Sequence, residues 1–317
     1  MTEPGAPATQ APTTISPEIV AAILARHGLQ ERAVVPLANL SAGNSVYLLG
    51  EDLVLRVPHG TTGDGYALKT ARIAITAARA AGVRTPEILV YDDTRELLPM
   101  PYALLQRVPG EPLSKQEFEP GEIPQVWREL GHDLALLHHG VPRHGPAGQL
   151  KPGDVQVDPR PWLEELAIQG LLSPVEAEWL RRWLDELQPL VNTGEQVAFC
   201  HGDVNADNVL VRPVALEYLA LLDWDGAGWM DPAWDFVPLP LRAVPWVLQG
   251  YREVAEVPGE STAEARILWH HIQYTLFIWW NKRHHRRGTI DRGFQRLRFG
   301  IREMLELPGA RWMAHLG

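Results

Sequence analysis

Phe199-Cys200-His201-Gly202-Asp203-Val204-Asn205-Ala206-Asp207-Asn208 runs from an apolar approach into a polar loop, and Val209-Leu210-Val211 leads away from it. Further along, Leu219-Ala220-Leu221-Leu222 delivers a second acidic turn, Asp223-Trp224-Asp225-Gly226. Short apolar runs bounded by Asp, Asn and Gly read as strands, so two strand ends each present carboxylates. If these strands pair, Asp203, Asn208 and Asp223 meet at one point. Two or three oxygen ligands suit Mg²⁺, which keeps several waters and accepts substrate phosphates. A remaining Asp can take a proton from a hydroxyl nucleophile.

Upstream of this segment the chain falls into two differently patterned regions. Residues 1–15 are rich in Pro, Ala and Thr and read as a disordered tail. Ser16-Pro17 reads as a helix start, followed by apolar Ile19, Val20, Ile23 and Leu24 and a stop at Gly28. Strand-like runs follow at Val46 to Leu49, Leu53 to Val57, Ile88 to Tyr91 and Tyr102 to Gln106, with an Ala-rich helix from Tyr66 to Ala81 among them. Beyond Arg107-Val-Pro-Gly-Glu-Pro112, turn chemistry that reads as a hinge, helical periodicity takes over. Pro124 to His139 carries Val126, Trp127, Leu130, Leu134 and Leu137 on one face. Ser173-Pro174-Val175-Glu176 is a capping box, opening a helix with Trp179, Leu180, Trp183, Leu184 and Leu187 on its apolar face. Long helices are expected near 262–286 and 289–306.

The spacing His201-x-Asp203-x-x-x-x-Asn208, then Asp223, resembles the aminoglycoside phosphotransferase and choline kinase group of small-molecule kinases. Asp223-Trp224-Asp225 looks like that family's metal motif, and Gly228 to Asp231-Pro232 and Asp235 like its structural Asp stretch. Leu40-Ser41-Ala42-Gly43-Asn44-Ser45 looks like its nucleotide loop, and Leu104 to Leu113 like its hinge. The resemblance implies an α+β, protein-kinase-like bilobal fold, with a small β-rich N-lobe carrying one helix and a larger, mostly α-helical C-lobe. It divides the chain into the nucleotide-binding lobe, 16–107, and a lobe with the catalytic loop and acceptor site, 108–317. The implied activity is transfer of the γ-phosphoryl group of ATP or GTP to a hydroxyl of a small polar acceptor.

Within that resemblance Asp203 is the catalytic base, and Asn208 and Asp223 hold Mg²⁺. Ser41, Gly43, Asn44, Ser45, Arg56, Gln106 and Val108 serve the nucleotide. His201 reads as a group bonding backbone or Asp223. Asp207 faces solvent or substrate, and Asp225 reads equally as a second metal ligand or a structural acceptor. There is one departure. Arg56 stands where many kinases place a Lys, and Tyr66 to Ala81 contains Lys69, Arg72 and Arg79 but no acid. The usual Glu partner is therefore missing or supplied from elsewhere. Two other readings stay open: a nucleotide-binding pseudokinase or sensor, and a metal-dependent hydrolase using His201, Asp203, Asp223 and Asp225.

Composition narrows the partners. The 317 residues carry a net charge of −10, which argues against a broad nucleic-acid or anionic-membrane surface. The single Cys excludes an intramolecular disulfide or a four-thiolate zinc site. No basic and apolar leader opens the chain, and the apolar run Tyr274 to Trp280 is too short to span a bilayer. A cytoplasmic protein is expected. From His201 to Phe236 seven acids face Arg212 alone, which suits both Mg²⁺ and a cationic acceptor. All 12 Trp lie beyond the hinge, giving a light first lobe and an aromatic-rich second.

Overall fold

The computed structural model describes residues 14–37, 44–59, 65–150, 153, 157–191, 196–281, 294, 297, 298, 300 and 301. Ser41, Gly43, most of the expected tail and most of the helix expected at 289–306 lie outside the described residues.

Helix α1 (Pro17–Arg26) opens with Pro17, whose fixed φ and missing N–H suit a first turn. Five antiparallel strands follow: β1 (Val34–Leu37), β2 (Asn44–Leu49), β3 (Leu53–Pro58), β4 (Ile88–Asp92) and β5 (Tyr102–Gln106), in the spatial order β1-β2-β3-β5-β4. Helix α2 (Tyr66–Ala80) connects β3 to β4. Strand β1 was not read from the sequence. Its Pro36 cannot donate to a ladder, and the structure accommodates it at the sheet edge, where that lack is tolerated.

Alternation along the strands sorts side chains to two faces. Leu53, Leu55 and Val57 of β3 join Tyr102 and Leu104 of β5 under Val20, Ile23 and Leu24 of α1. Ala103 and Leu105 face the other way, onto Leu68, Ala71, Ile75 and Ala78 of α2. That second core continues without a break into the helical part of the chain. Arg56, between Leu55 and Val57, therefore points away from α1 and toward the remainder of the molecule.

The hinge ends in the two-residue strand β6 (Glu111–Pro112), followed by α3 (Pro124–Gly140), α4 (Arg160–Ile168) and α5 (Pro174–Val191). Strands β7 (Ala198–Cys200), β8 (Val209–Arg212), β9 (Glu217–Leu221) and β10 (Gly228–Met230) precede helices α6 (Val244–Arg252) and α7 (Ala263–Asn281). The pairings are β6-β8-β9 and β7-β10, both antiparallel. The hinge is thereby sewn to the strand that leaves the polar loop. Gly110 fits here because a Cβ would press on Leu219 and the Val211 carbonyl.

Helices α3 and α6 cross with their backbones in contact. A Cβ on Gly131 would collide with the Val247 carbonyl oxygen, and one on Gly250 with the Arg128 carbonyl oxygen. Arg84, just before β4, braces the two parts together. Its backbone N–H donates to Asp133 Oδ2 of α3 at 3.0 Å, its guanidinium reaches Glu129, and its carbonyl accepts from Leu221 N–H at 2.9 Å. Tyr218 lies under the guanidinium and donates its own hydroxyl to Asp133. No helix among the described residues is long and apolar enough to cross a membrane.

The buried stripe of α5 is Ala177, Leu180, Leu184, Leu187 and Val191; Trp179 and Trp183 flank it half-buried, edge to face with one another. The capping box forms as the sequence predicts. Ser173 N–H donates to Glu176 Oε2 at 2.7 Å, and Glu176 N–H to Ser173 Oγ at 3.3 Å. Ser173→Ala should cost about 1 kcal/mol, read as a lower urea midpoint with an unchanged m-value.

Candidate active site

The polar loop between β7 and β8 is held from below by one carboxylate. Asp235, fully buried in the short 3₁₀ turn Pro232–Phe236, accepts His201 N–H at 2.8 Å, Gly202 N–H at 2.7 Å and His138 Nε2 at 3.0 Å. His138 in turn contacts the Tyr251 hydroxyl through Nδ1 at 3.1 Å. Three donors on one carboxylate fix the backbone on which Asp203 sits. His138, Cys200 and Asp235 also lie within mutual metal-ligand distance. Asp235 is already engaged by these donors, and burial pushes the Cys200 thiol well above its ordinary pKa, so the cluster reads as a hydrogen-bonded bracket.

His201 is buried with both ring nitrogens engaged. Nε2 donates to the Leu222 carbonyl at 2.8 Å and Nδ1 accepts Asp203 N–H at 3.2 Å. Trp224 packs edge-on against the imidazole, with ring centroids 4.5 Å apart. The loop after β7 is thus tied to the end of β9, the juxtaposition expected from the two strand ends.

Asp203 is exposed, and two amides aim its carboxylate. Asn205 Nδ2 donates to Oδ1 at 2.9 Å, and Asn208 Nδ2 to Oδ2 at 3.1 Å and to the Asp203 carbonyl at 2.8 Å. Asp207, also exposed, accepts the Ser114 hydroxyl, which fastens the loop to the segment after the hinge. The carboxylate of Asp207 therefore stands apart from that of Asp203.

Asp223, two residues beyond β9, sits at φ +61°, a left-handed conformation uncommon outside glycine. Its Oδ1 accepts Arg56 Nη2 at 2.8 Å; the same nitrogen lies 3.2 Å from Asp225 Oδ2. Asn44 Nδ2 donates to that Asp225 oxygen at 2.9 Å. Burial raises the Asp225 carboxyl above the usual aspartate range; Arg56 opposes the shift and the Asp223 charge adds to it. Burial alone would lower the Arg56 pKa, but the charges of Asp225 and Asp223 more than offset it and hold the guanidinium protonated.

The register β2–β3 pairs Val46 with Arg56 and Asn44 with Pro58, so Asn44 and Arg56 share a face. Ser45 alternates to the opposite face. Gln106 donates its N–H to the Glu87 carbonyl at 2.8 Å, whereas Val108 N–H has no hydrogen-bond partner among the described residues. Of the cations on α2, Arg72 stacks over Tyr91 and Lys69 is exposed.

The donor set suits Mg²⁺. Asp225 Oδ1 is buried with no hydrogen-bond partner, Asp223 contributes a second carboxylate nearby, and Asn208 turns its N–H₂ to Asp203, leaving its amide oxygen for a cation. An all-oxygen set with room for water and phosphate is what this ion takes.

Two contributors escaped the sequence reading. His138 is not singled out by the sequence, where it falls with Leu130 and Leu134 on one buried stripe of α3. Asn205 lies two residues beyond Asp203, a spacing at which Asn bonds locally. On the far side of the loop, Trp234 donates Nε1 to the Gly202 carbonyl at 3.1 Å and meets Tyr274 of α7 edge-on at 6.2 Å. Both rings are half-buried, and burial and the Asp203 charge raise the Tyr274 pKa.

His271 holds the end of the same turn, with Nε2 3.0 Å from the Phe236 carbonyl. Burial lowers its pKa to about 4. The unfolded chain takes up this proton near the ordinary histidine value of about 6.5, and the folded protein refuses it until about pH 4. Stability should therefore fall as pH drops through that window, by up to about 1.4 kcal/mol per pH unit from this group. His271→Gln should flatten that part of a urea-midpoint profile against pH.

A family model described as the phosphotransferase enzyme family matches residues 35–260. Acyl-CoA dehydrogenase family member 10 of Mus musculus is 25% identical over 223 residues, 66% of this chain and 20% of that protein. Viomycin phosphotransferase of Streptomyces vinaceus is 27% identical over 165 residues, 50% of this chain and 56% of that protein. The chain thus spans about a fifth and about half of the curated relatives it matches. Among solved structures, the GDP complex of wild-type aminoglycoside 2′-phosphotransferase-IIIa shares the fold, with TM-score 0.65, 15% identity, and coverage of 89% of this chain and 97% of that one.

Proposed function

The chain belongs to the phosphotransferase enzyme family, and on that footing we propose that it is a small-molecule kinase moving the γ-phosphoryl group of ATP or GTP to a hydroxyl of a small polar acceptor. The observation that carries this is the double clamp of Asn205 and Asn208 on Asp203, with Asp223 and Arg56 facing each other nearby. The GDP bound in the similar structure supports a nucleotide donor. The viomycin phosphotransferase likeness supports a small-molecule acceptor.

Asp203, exposed and aimed by two amides, orients the acceptor hydroxyl and takes its proton. Asn208 and Asp223 would hold Mg²⁺, with Asp225 beside them; when bound, the ion would neutralise charge on the phosphate oxygens. Arg56 meets phosphate with a guanidinium, a fork that differs from a Lys point charge. Val108 N–H would donate to the nucleobase. His201 acts through the backbone, locking the Asp203 and Asp223 turns together. Trp234 and Tyr274 border the acceptor side, and the acidity of 201–236 suits a cationic acceptor. We assign nucleotide binding to residues 16–107 and the acceptor site to 108–317, in a protein working in the cytoplasm.

The side-chain contacts bear on the two other readings. A hydrolase using His201 would need a free ring nitrogen, and both are engaged. The pseudokinase reading rests on the missing helix acid; Arg56 meets Asp223 and Asp225 in its place, and the assay below separates the two readings. The deciding assay supplies Mg²⁺, ATP or GTP and a panel of hydroxylated acceptors, and reads nucleoside diphosphate release and the product mass. Phosphorylation of at least one acceptor hydroxyl is expected. Nucleotide binding with no phosphorylated product across the panel would sink the proposal.

A further inference from the structure

On α2 the charged side chains are Lys69, Arg72 and Arg79, so Arg56 has no acid to lean on there. Its partners lie across the cleft, in the turn that α2 packs against. A single nitrogen, Nη2, touches both Asp223 and Asp225, and the Arg56 side chain is only 10% exposed. Arg56 Nε and Asp225 Oδ1 are both buried without a hydrogen-bond partner. Buried polar atoms of a native protein are normally paired, so this cluster is shaped for one more polar group than the protein itself supplies.

Resting on the reading that Mg-nucleotide binds here, we infer that Arg56 is the resting counter-cation of the metal carboxylates. In the nucleotide-free protein it occupies Asp223 and Asp225 and repels a bare divalent ion. An arriving nucleotide draws the guanidinium onto its phosphates, a bidentate pairing that arginine favours. The carboxylates are then released to the metal that accompanies the phosphates. Asn44, donating to Asp225 Oδ2, keeps that carboxylate in place while Arg56 moves. Divalent cation and nucleotide thus enter together, and the metal does not enter first. The arrangement also accounts for the missing helix acid. A permanent partner on α2 would compete with the phosphates for Arg56, whereas the metal carboxylates release it at the moment of binding.

The test measures Mn²⁺ binding by electron paramagnetic resonance without nucleotide, on the full chain and on Arg56→Gln and Arg56→Met. The unmodified protein should bind bare Mn²⁺ weakly. Removing a unit positive charge about 3 Å from two carboxylates should tighten Mn²⁺ binding at least about tenfold, while affinity for ADP or GDP falls. Tight Mn²⁺ binding by the unmodified protein in the absence of nucleotide would overturn the inference, and that titration stands even if a variant fails to fold. A folded variant whose Mn²⁺ affinity does not rise would overturn it too. Failure of the unmodified protein to bind any nucleotide would instead strike the parent reading, so the two failures are distinguishable.

Discussion

Asp203→Ala should lower kcat by about 10²–10⁴, the range a positioned general base contributes, while nucleotide affinity stays within a few-fold. The division follows from position. Asp203 is exposed at the tip of its loop, and among the described residues its carboxylate is bonded only by Asn205 and Asn208. Arg56, Asp223 and the hinge, which would meet the nucleotide, do not depend on it. Its loss should also leave thermal stability nearly unchanged, since Asn205 is half-buried and the buried Asn208 amide keeps its bond to the Asp203 backbone carbonyl at 2.8 Å. The check is kcat under saturating acceptor, set beside a fluorescence titration of ADP or GDP. Turnover within a few-fold of the unmodified enzyme would remove Asp203 from the chemistry.

Asp235→Ala should act in the opposite way, through the fold. The carboxylate is fully buried and takes three donors, two from the backbone of the catalytic loop and one from His138. Removing it leaves those donors buried without a partner, a loss of about 3–5 kcal/mol. Against a total stability of about 5–15 kcal/mol that is a large fraction. The melting temperature should drop on the order of 10 °C, and activity should fall with it as Asp203 loses its footing. Asp235→Asn, which keeps the size but cannot accept from all three donors, should fall between. A melting temperature unchanged by the Ala variant would show that the loop is held by something other than Asp235.

The contrast between these residues bears on what a sequence can reveal. Asp203 and Asn208 were legible because six consecutive residues of one loop carry both, and a strand end presents them together. The helix α5 was legible because Ser173 and Glu176 announce it and the apolar stripe repeats at helical spacing. By contrast α4 fully buries only Leu163 and Leu166, too few for a period to show. Strand β6 is two residues long and exists only because β8 lies beside it. The partner of Arg56 was out of reach for a related reason. Asp223 stands 167 residues away, and no periodicity links a strand to a turn across such a distance. Sequence reading found both members and missed the bond between them. His138 hid in the same way, as one more position on a buried stripe until Asp235 was seen beneath it.

The backbone contact at Gly131 and Gly250 has a bearing on descent. Helix α3, pinned there to α6, carries the His138 that steadies Asp235 and, through it, the loop of Asp203. Helix α7 meets that bracket with its first half, through Arg266 on Asp231 and His271 on the Phe236 carbonyl. Tyr274, the exposed Phe277 and Asn281 lie farther along. If the acceptor of the proposed reaction docks there, replacements would alter which molecule is greeted while the loop proposed to phosphorylate it stays still. A lineage built on this frame would then wander among acceptors by drift along one helical face and keep its reaction throughout.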